Sequence, residues 1–301
     1  MDLRPYRLSA ADVERAKALL EYQPFIVADT VCTGVAYDWL YSPDPEAHPR
    51  REVYDLSADG PEMFQRALDA NTRLLRTYEA FARAMCAAFP GETYLDVSCN
   101  SGLLPIFMSL NGMGDCFGLD LPRHANAFSF LTGLTGSPAR FMPGAYVNEP
   151  QPAIATGNPD DSGREFDVVS SMAFLCHVGD PLHVLQVLAG IAKKAVFVWS
   201  GFIESDENLI RLGEPRPASQ PGLTGVWSRY SYGTALSTRL LFSTMNLLGF
   251  PFRLEVAYPP DGLAPDWHQA NMKQYGAFRA FLFVRESYMD DVSRRLKPAG
   301  G

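Results

Sequence analysis

The chain has 301 residues, 47% hydrophobic and 20% charged, with 34 acidic against 26 basic side chains and a formal charge of -8. That length holds one large domain or a catalytic domain with an added cap, and the composition excludes global disorder. The acidic balance argues against nucleic acid as a partner, since non-specific binding rests on clustered Lys and Arg. The short clusters Arg50 with Arg51 and Arg294 with Arg295 and Lys297 read as solvated surface. Cys32, Cys86, Cys99, Cys116 and Cys176 contain no C-x-x-C pair, so neither a disulfide framework nor a zinc site is suggested. The N-terminus lacks the apolar run of a secretion signal and no segment has the roughly 18 apolar residues of a spanning helix, so the expectation is a cytoplasmic protein with no membrane contact.

In chain order, Ser9 is placed to cap a short amphipathic helix over Ala10 to Glu21, with Val13, Ala16, Leu19 and Leu20 on one stripe. From Tyr22 to Pro61, several prolines and the aromatic cluster Tyr37, Trp39, Tyr41 and Tyr54 read as a lid, cap or packing arm, with homodimerisation as a further use of those rings. A longer helix follows Asp59-Gly60-Pro61 and ends at about Phe89, before Pro90-Gly91. TYLDVS predicts a strand, GLLPIFMSLNGMG a helix with Pro105 near its first turn, DCFGLDL a second strand ending at Asp120, and Arg123 to Thr135 a second helix. Ala139 to Met142 and EFDVVSSM give the third and fourth strands, Pro181 to Ala192 a helix, and AVFVWSGF the fifth strand. Glu204 to Tyr232, rich in Pro and Gly, reads as a long irregular insertion and a candidate lid or substrate wall. A helix over Thr234 to Leu248, closed by Gly249, precedes FRLEVAY and AFRAFLFVRE as a closing antiparallel hairpin. The alternation predicts a doubly wound α/β fold with a mostly parallel sheet. The expected divisions are an N-terminal helical cap over 1–90, a main domain over 91–290 with its lid insertion over 204–232, and a C-terminal tail over 291–301.

In LDVSCNSG a strand delivers Asp96 at its carboxyl end and then turns through Ser98, Asn100 and Gly102, small residues at every second position, where backbone can approach a ligand closely. Crevices at the carboxyl ends of parallel strands are the usual ligand position in open α/β sheets, and the helix N-terminus beyond favours a carboxylate. Asp120 ends the next strand, where an acidic side chain can accept hydrogen bonds from both ribose hydroxyls. These motifs resemble the class I S-adenosylmethionine-dependent methyltransferases over about Tyr94 to Glu286. The family's usual loop is D-x-G-x-G-x-G. Here Ser98 and Asn100 replace the first two glycines, in the manner of the D-V-G-C-N-x-G loops of one branch, and Gly102 keeps its place.

The resemblance implies a seven-stranded Rossmann-like sheet and S-adenosylmethionine as cofactor. By position, Asp96 orients the methionine part, the backbone of Ser98, Cys99, Asn100, Ser101 and Gly102 lines it, Asp120 holds the ribose and Leu121 packs on the adenine. Met142 to Tyr146 is similar to the loop that touches the adenine, with Gly144 and Ala145 where an acidic residue is usual. FDVVSSMAFLCHVGDPLHVL resembles the family's fourth strand and its H-x-x-D-P-type turn, which puts Ser171, Met172 and Ala173 against the methyl group.

Methyl transfer from a sulfonium is an in-line displacement that demands alignment and exclusion of water, with a base only for some nucleophiles. His177, near the expected methyl position, is the candidate base and reads equally well as a helix-start histidine bonded to backbone. His183 points elsewhere on its predicted helix, His124 can border the adenine, His48 and His268 fall in irregular regions, and no metal is indicated. Trp199 at the end of the fifth strand and Trp227, Arg229 and Tyr230 in the insertion are the candidate substrate contacts, beside Arg211, Arg216 and Tyr232. Aromatic faces suit a cationic acceptor and Arg suits a carboxylate. The expected activity is methylation of an O, N or S atom of a small-molecule metabolite. The alternatives are a tRNA wobble-uridine-modifying (carboxy)methyltransferase-like enzyme, whose C-N-x-G loop and H-x-x-D-P turn look similar, and a non-catalytic S-adenosylmethionine-binding protein.

Overall fold

The computed structural model describes residues 1–20, 22–34, 52–146, 154–155, 163–217, 230–257 and 277–296. Helix α1 (Ala10–Leu19) begins at Ser9, whose hydroxyl accepts from the Asp12 N–H while the Asp12 carboxylate accepts from the Ser9 N–H, a reciprocal cap. Strands β1 (Phe25–Ala28), β2 (Val31–Thr33) and β3 (Val53–Asp55) form a three-stranded antiparallel sheet. Helix α2 (Leu56–Ala88) follows, kinked where Gly60 takes φ 76 ahead of Pro61. The segment read as lid or packing arm therefore contains a small sheet, and Tyr54 is buried within it. Tyr37, Trp39 and Tyr41 lie outside the described residues.

The main unit starts with β4 (Tyr94–Val97), α3 (Leu103–Leu110), β5 (Cys116–Asp120), α4 (Ala125–Thr135) and β6 (Arg140–Pro143). Two short strands, β7 (Ala145–Tyr146) and β8 (Ile154–Ala155), pair with each other. Next come β9 (Phe166–Met172), α5 (Pro181–Ile191) and β10 (Ala192–Ile203). Helix α5 starts with Pro181 at its first position and Asp180 accepting from the His183 N–H, which is the physical content of the D-P turn. The chain continues through β11 (Ile210–Pro217), β12 (Tyr230–Ser237), α6 (Thr238–Leu247), β13 (Phe252–Glu255), β14 (Ala277–Val284) and α7 (Met289–Leu296).

Strands β6, β5, β4, β9 and β10 lie side by side and parallel, and β14 joins β10 antiparallel with β13 outside it. That reproduces the seven expected strands, closing hairpin included. Two more make the sheet nine-stranded: β12 pairs with the far end of β10 through Phe202↔Leu236 and Ile203↔Ser237, and β11 lies antiparallel to β12. The insertion is thus partly a β-hairpin, and the helix expected from Thr234 starts at Thr238. Pairing of Thr234 with Leu212 and of Leu236 with both Ile210 and Phe202 overrides local helical preference, and the Ser237 hydroxyl accepts the Leu240 N–H to set the helix start. The expected tail is helical to Leu296, with Val292 buried and Arg295 donating to the Ala88 carbonyl.

Alternation along the central strands splits the core between the two faces of the sheet. On one face α2 presents Tyr78 and Phe81, whose rings lie 5.6 and 6.0 Å from Trp199, with Phe81 also 5.4 Å from Phe197 and Phe278 5.3 Å from Trp199. On the other, Val184, Leu185 and Leu188 of α5 and Leu241 and Met245 of α6 cover Val169, Val196, Val198, Phe281 and Phe283. Replacing Phe81 by Ala removes a fully buried ring from the α2 face. The expected cost is about 4 kcal/mol of unfolding free energy, read as a lower urea midpoint at unchanged slope.

Candidate functional site

Strand order reverses at β4, which has β5 on one side and β9 on the other, so a crevice opens beyond the carboxyl ends of β4 and β9. The loop from β4 to α3 fills its floor. Ser98, Asn100 and Gly102 take φ 68, 50 and 92, all left-handed. The two residues that replace the usual glycines therefore keep the backbone shape that glycine would supply. For Asn the strain is modest because it visits this region more readily than other side chains, whereas Ser98 bears it in full. The Asn100 Oδ1 accepts from the Ser101 N–H at 2.6 Å and the Ser101 Oγ at 3.0 Å, which fixes the turn locally. Ser98 and Asn100 are half-exposed, while Cys99 and Ser101 are buried, so the latter two contribute backbone to the crevice. At Gly102 a Cβ would meet Phe128 Cδ2 at 2.3 Å, and at Gly118 it would meet Cys99 Sγ at 2.6 Å. The loop lies hard against β5 and α4.

Asp96, the last residue but one of β4, is 1% exposed, with burial and the nearby Asp120 raising its pKa from 3.8 to about 7. The Ser170 hydroxyl, opposite it on β9, donates to Asp96 Oδ1 at 2.6 Å and lowers the value in part. Tyr94 OH lies 2.5 Å from the same Ser170 Oγ and completes a short polar chain through the core. Asp120 is fixed by backbone, accepting from the Asn100 N–H at 2.6 Å through Oδ2 and from the Leu121 N–H at 2.7 Å through Oδ1. Its own carbonyl accepts from the Gly144 N–H at 2.9 Å, and the buried His124 Nε2 lies 3.8 Å from Oδ1 while accepting from Arg123 Nε at 3.0 Å. An ionised carboxylate has about four acceptor positions, so Asp120 keeps capacity for a ligand.

The two aspartates and the left-handed loop come together as the sequence predicts, with Leu121 half-buried and Gly144 beside them. Ser171 and Met172 are buried near the end of β9. Register places Ser171 opposite Val97, on the face away from Asp96, and its Oγ has no hydrogen-bond partner among the described residues. Ala173 takes φ 52 and donates its N–H to the Trp199 carbonyl at 2.7 Å, a strained turn at the strand end where the methyl group is expected. His177 is exposed, in the 3-10 turn Leu175–His177, with its N–H on the Phe174 carbonyl. Trp199 is 2% exposed, its indole packed among Tyr78, Phe81 and Phe278. Arg211 is exposed on β11. Trp227, Arg229, His48 and His268 lie outside the described residues, as do the side chains of Ala145, Arg216, Tyr230 and Tyr232. No group of His, Cys, Asp and Glu suited to a metal occurs among the described residues, and no helix among them is long and apolar enough to cross a membrane.

Sequence reasoning passed over two residues here. Ser170 rather than Ser171 meets Asp96, a distinction carried by the period of two along β9 once the Asp96↔Ser170 register is known. Gln23, before β1, donates to the Cys99 carbonyl at 3.0 Å and accepts from the Leu103 N–H at 3.1 Å. That second bond occupies the first N–H of the helix start where a carboxylate is expected, Pro105 has none, and Leu103 and Leu104 are buried. A cofactor of the kind the motifs imply fits the rest. Two carboxylates, with no Lys or Arg partner for Asp96 among the causes of its shift, favour a ligand bearing cationic and hydroxyl groups.

Because Asp96 binds its proton more tightly folded than unfolded, it favours folding fully below its ordinary value of 3.8, and that contribution is lost as pH rises through about 7. In cofactor-free protein, raising the pH from 5 to 8 should cost the natural sequence on the order of 3 kcal/mol more than Asp96→Asn, as read by urea titration. Gly102→Ala should lower the melting temperature by several degrees and weaken cofactor binding, since both φ and Phe128 oppose a methyl group there.

Against known proteins, a model of the methyltransferase domain matches residues 64–219, just over half of the chain. The ubiquinone biosynthesis O-methyltransferase of Bordetella bronchiseptica is 31% identical over 109 residues, covering 36% of this chain and 42% of that protein. The enzyme of the same name from Aliivibrio fischeri is 34% identical over 104 residues, covering 34% and 40%. The alignments thus span about two fifths of the length of these curated relatives. Among solved structures, the N-terminal domain of EvdMO1 with SAH bound has a TM-score of 0.50 at 15% identity, over 72% of this chain and 84% of that one, a likeness of fold. The match over more than half of its length shows that the chain belongs to the methyltransferase-domain family.

Proposed function

We propose that this enzyme methylates a small molecule, with an oxygen atom as the leading acceptor because the curated relatives are named O-methyltransferases. The observation that carries the reading is the pair Asp96 and Asp120 beside a left-handed loop at the strand switch point. When bound, S-adenosylmethionine supplies an electrophilic methyl carbon on a sulfonium. Asp120 would accept from the ribose hydroxyls, held ready by the Asn100 and Leu121 N–H groups. Asp96 would face the methionine ammonium, whose charge draws the carboxyl into its ionised form and releases its proton. The backbone of Ser98 to Gly102 would line the same part, Leu121, Gly144 and Ala145 the adenine, and Met172 with Ala173 the methyl side. His177, exposed on the turn beyond Ala173, would take a proton from an acceptor that carries one.

For the acceptor side we propose Trp227, Arg229 and Tyr230, with Trp199 acting from behind as packing for the strand end. An acidic chain of net charge -8 favours a small acceptor over a nucleic acid.

Isothermal titration with S-adenosylhomocysteine tests the cofactor half. Asp120→Ala should lose at least about tenfold in affinity, and binding by the natural sequence near pH 6.5 should release protons, seen as a heat that varies with the buffer's ionisation enthalpy. Unchanged affinity in Asp120→Ala sinks the assignment. For the acceptor half, labelled S-adenosylmethionine and a metabolite extract should yield a labelled small product. His177→Ala should then lower kcat by roughly a hundredfold at unchanged cofactor affinity.

A further inference from the structure

Gln23 lies in the short link between α1 and β1 at 4% exposure, more than seventy residues from the loop it touches. Its amide spans both ends of that loop's last turn. Nε2 donates to the Cys99 carbonyl at 3.0 Å, the carbonyl that also receives the Gly102 N–H at 2.9 Å, and Oε1 accepts from the Leu103 N–H at 3.1 Å. The cap holds Gln23 in turn: its own carbonyl accepts from Thr33 Oγ1 at 2.9 Å, and Thr33 Oγ1 accepts from the Phe25 N–H at 3.3 Å, tying Gln23 to both β1 and β2. The residue before it, Tyr22, takes φ 63, a conformation that costs a bulky side chain about 1 kcal/mol or more. On the other side of the contact, Ser98 and Asn100 store strain of the same kind. Two strained segments from distant parts of the chain therefore meet through one buried amide, and such conformations persist only where surrounding contacts over-determine them.

We propose that Gln23 is a positioning residue for cofactor binding, through which the N-terminal three-stranded sheet holds the cofactor loop in its binding geometry. Gln suits this post for a definite reason. The amide offers one donor and one acceptor side by side, matching one carbonyl and one N–H. Glu keeps the acceptor for Leu103 but sets a carboxylate oxygen against the Cys99 carbonyl, Asn falls one methylene short, and Met fills the volume without pairing either group. Coupling of this sort is reciprocal: if the cap stabilises the cofactor-bound loop, cofactor binding stabilises the cap by the same factor.

The test compares the natural sequence with Gln23→Met, Gln23→Glu and Leu3→Ala. Leu3 is buried in the cap and bonds by its N–H to the Ile26 carbonyl, not to the loop, so its truncation destabilises the cap generally. Affinity for S-adenosylhomocysteine is measured by titration, and amide exchange is followed over 98–104 and 22–33 in free and bound protein. Both Gln23 variants should bind about tenfold more weakly, with kcat at saturating cofactor within about twofold of the natural sequence. The Leu103 amide should exchange at least about tenfold faster in the free Gln23→Met protein. S-adenosylhomocysteine should protect residues 22–33 in the natural sequence and much less in Gln23→Met, while Leu3→Ala binds within about twofold of normal despite a lower melting temperature. Gln23→Met binding as tightly as the natural sequence, or Leu3→Ala losing as much affinity as Gln23→Met, would overturn the proposal. Failure of the natural sequence to bind would instead strike at the cofactor assignment, and the exchange rate at Leu103 in free protein would still judge the clamp.

Discussion

Between Val97 and Leu103 the chain must leave a buried strand, turn and enter a buried helix, and three left-handed residues make that turn. The rest of the site depends on this constraint. The turn brings the Asn100 N–H onto Asp120, which orients the carboxylate at the end of the neighbouring strand. Buried Cys99 leaves Gly118 no room for a Cβ, and Phe128 of α4 leaves none at Gly102. Because two of the three left-handed positions lack glycine, the backbone geometry is held by contacts, namely the Asn100 side chain from within and Gln23 from outside.

Electrostatics follow from the same arrangement. Aspartates at the carboxyl ends of two adjacent parallel strands concentrate negative charge in a buried place, and only one of the two, Asp120, receives backbone donors in compensation among the described residues. Asp96 has a hydroxyl from Ser170 and a burial penalty that exceeds it. At neutral pH the free protein therefore carries an electrostatic cost at Asp96 that a cationic group placed there would relieve.

The α/β order, Asp96, Asp120 and Gly102 were legible because each is a local signal: a strand, an acidic residue at its carboxyl end, the turn after it. Even the departures at Ser98 and Asn100 left the turn readable, since small or αL-tolerant residues occupied the right alternate positions. What escaped was whatever depends on register or on distance along the chain. Ser170 and Ser171 are indistinguishable until β9 is paired with β4. Gln23 carries no motif, because an amide that bonds backbone needs nothing but position. The stretch Thr234 to Ser237 has no strand signature of its own and becomes one through partners on β10 and β11. Trp199, singled out for its place at a strand end, is explained by the inward half of the alternation, which turns its ring toward α2.

The manner in which β11 and β12 join the sheet separates their fastening from the two aspartates. Their base is fastened at few points: the ladder of Phe202 and Ile203 with Leu236 and Ser237, the Thr234 hydroxyl on the Leu175 carbonyl, and the Ser237 hydroxyl shared between the Glu207 carbonyl and the Leu209 N–H. None of these touches Asp96, Asp120 or the turn between Val97 and Leu103. The hairpin is a cassette, docked on the twelve-residue β10 where that strand runs on past the cofactor side. A change in β11 or β12 that spares these fastenings would leave Asp96, Asp120 and the turn between Val97 and Leu103 as they are.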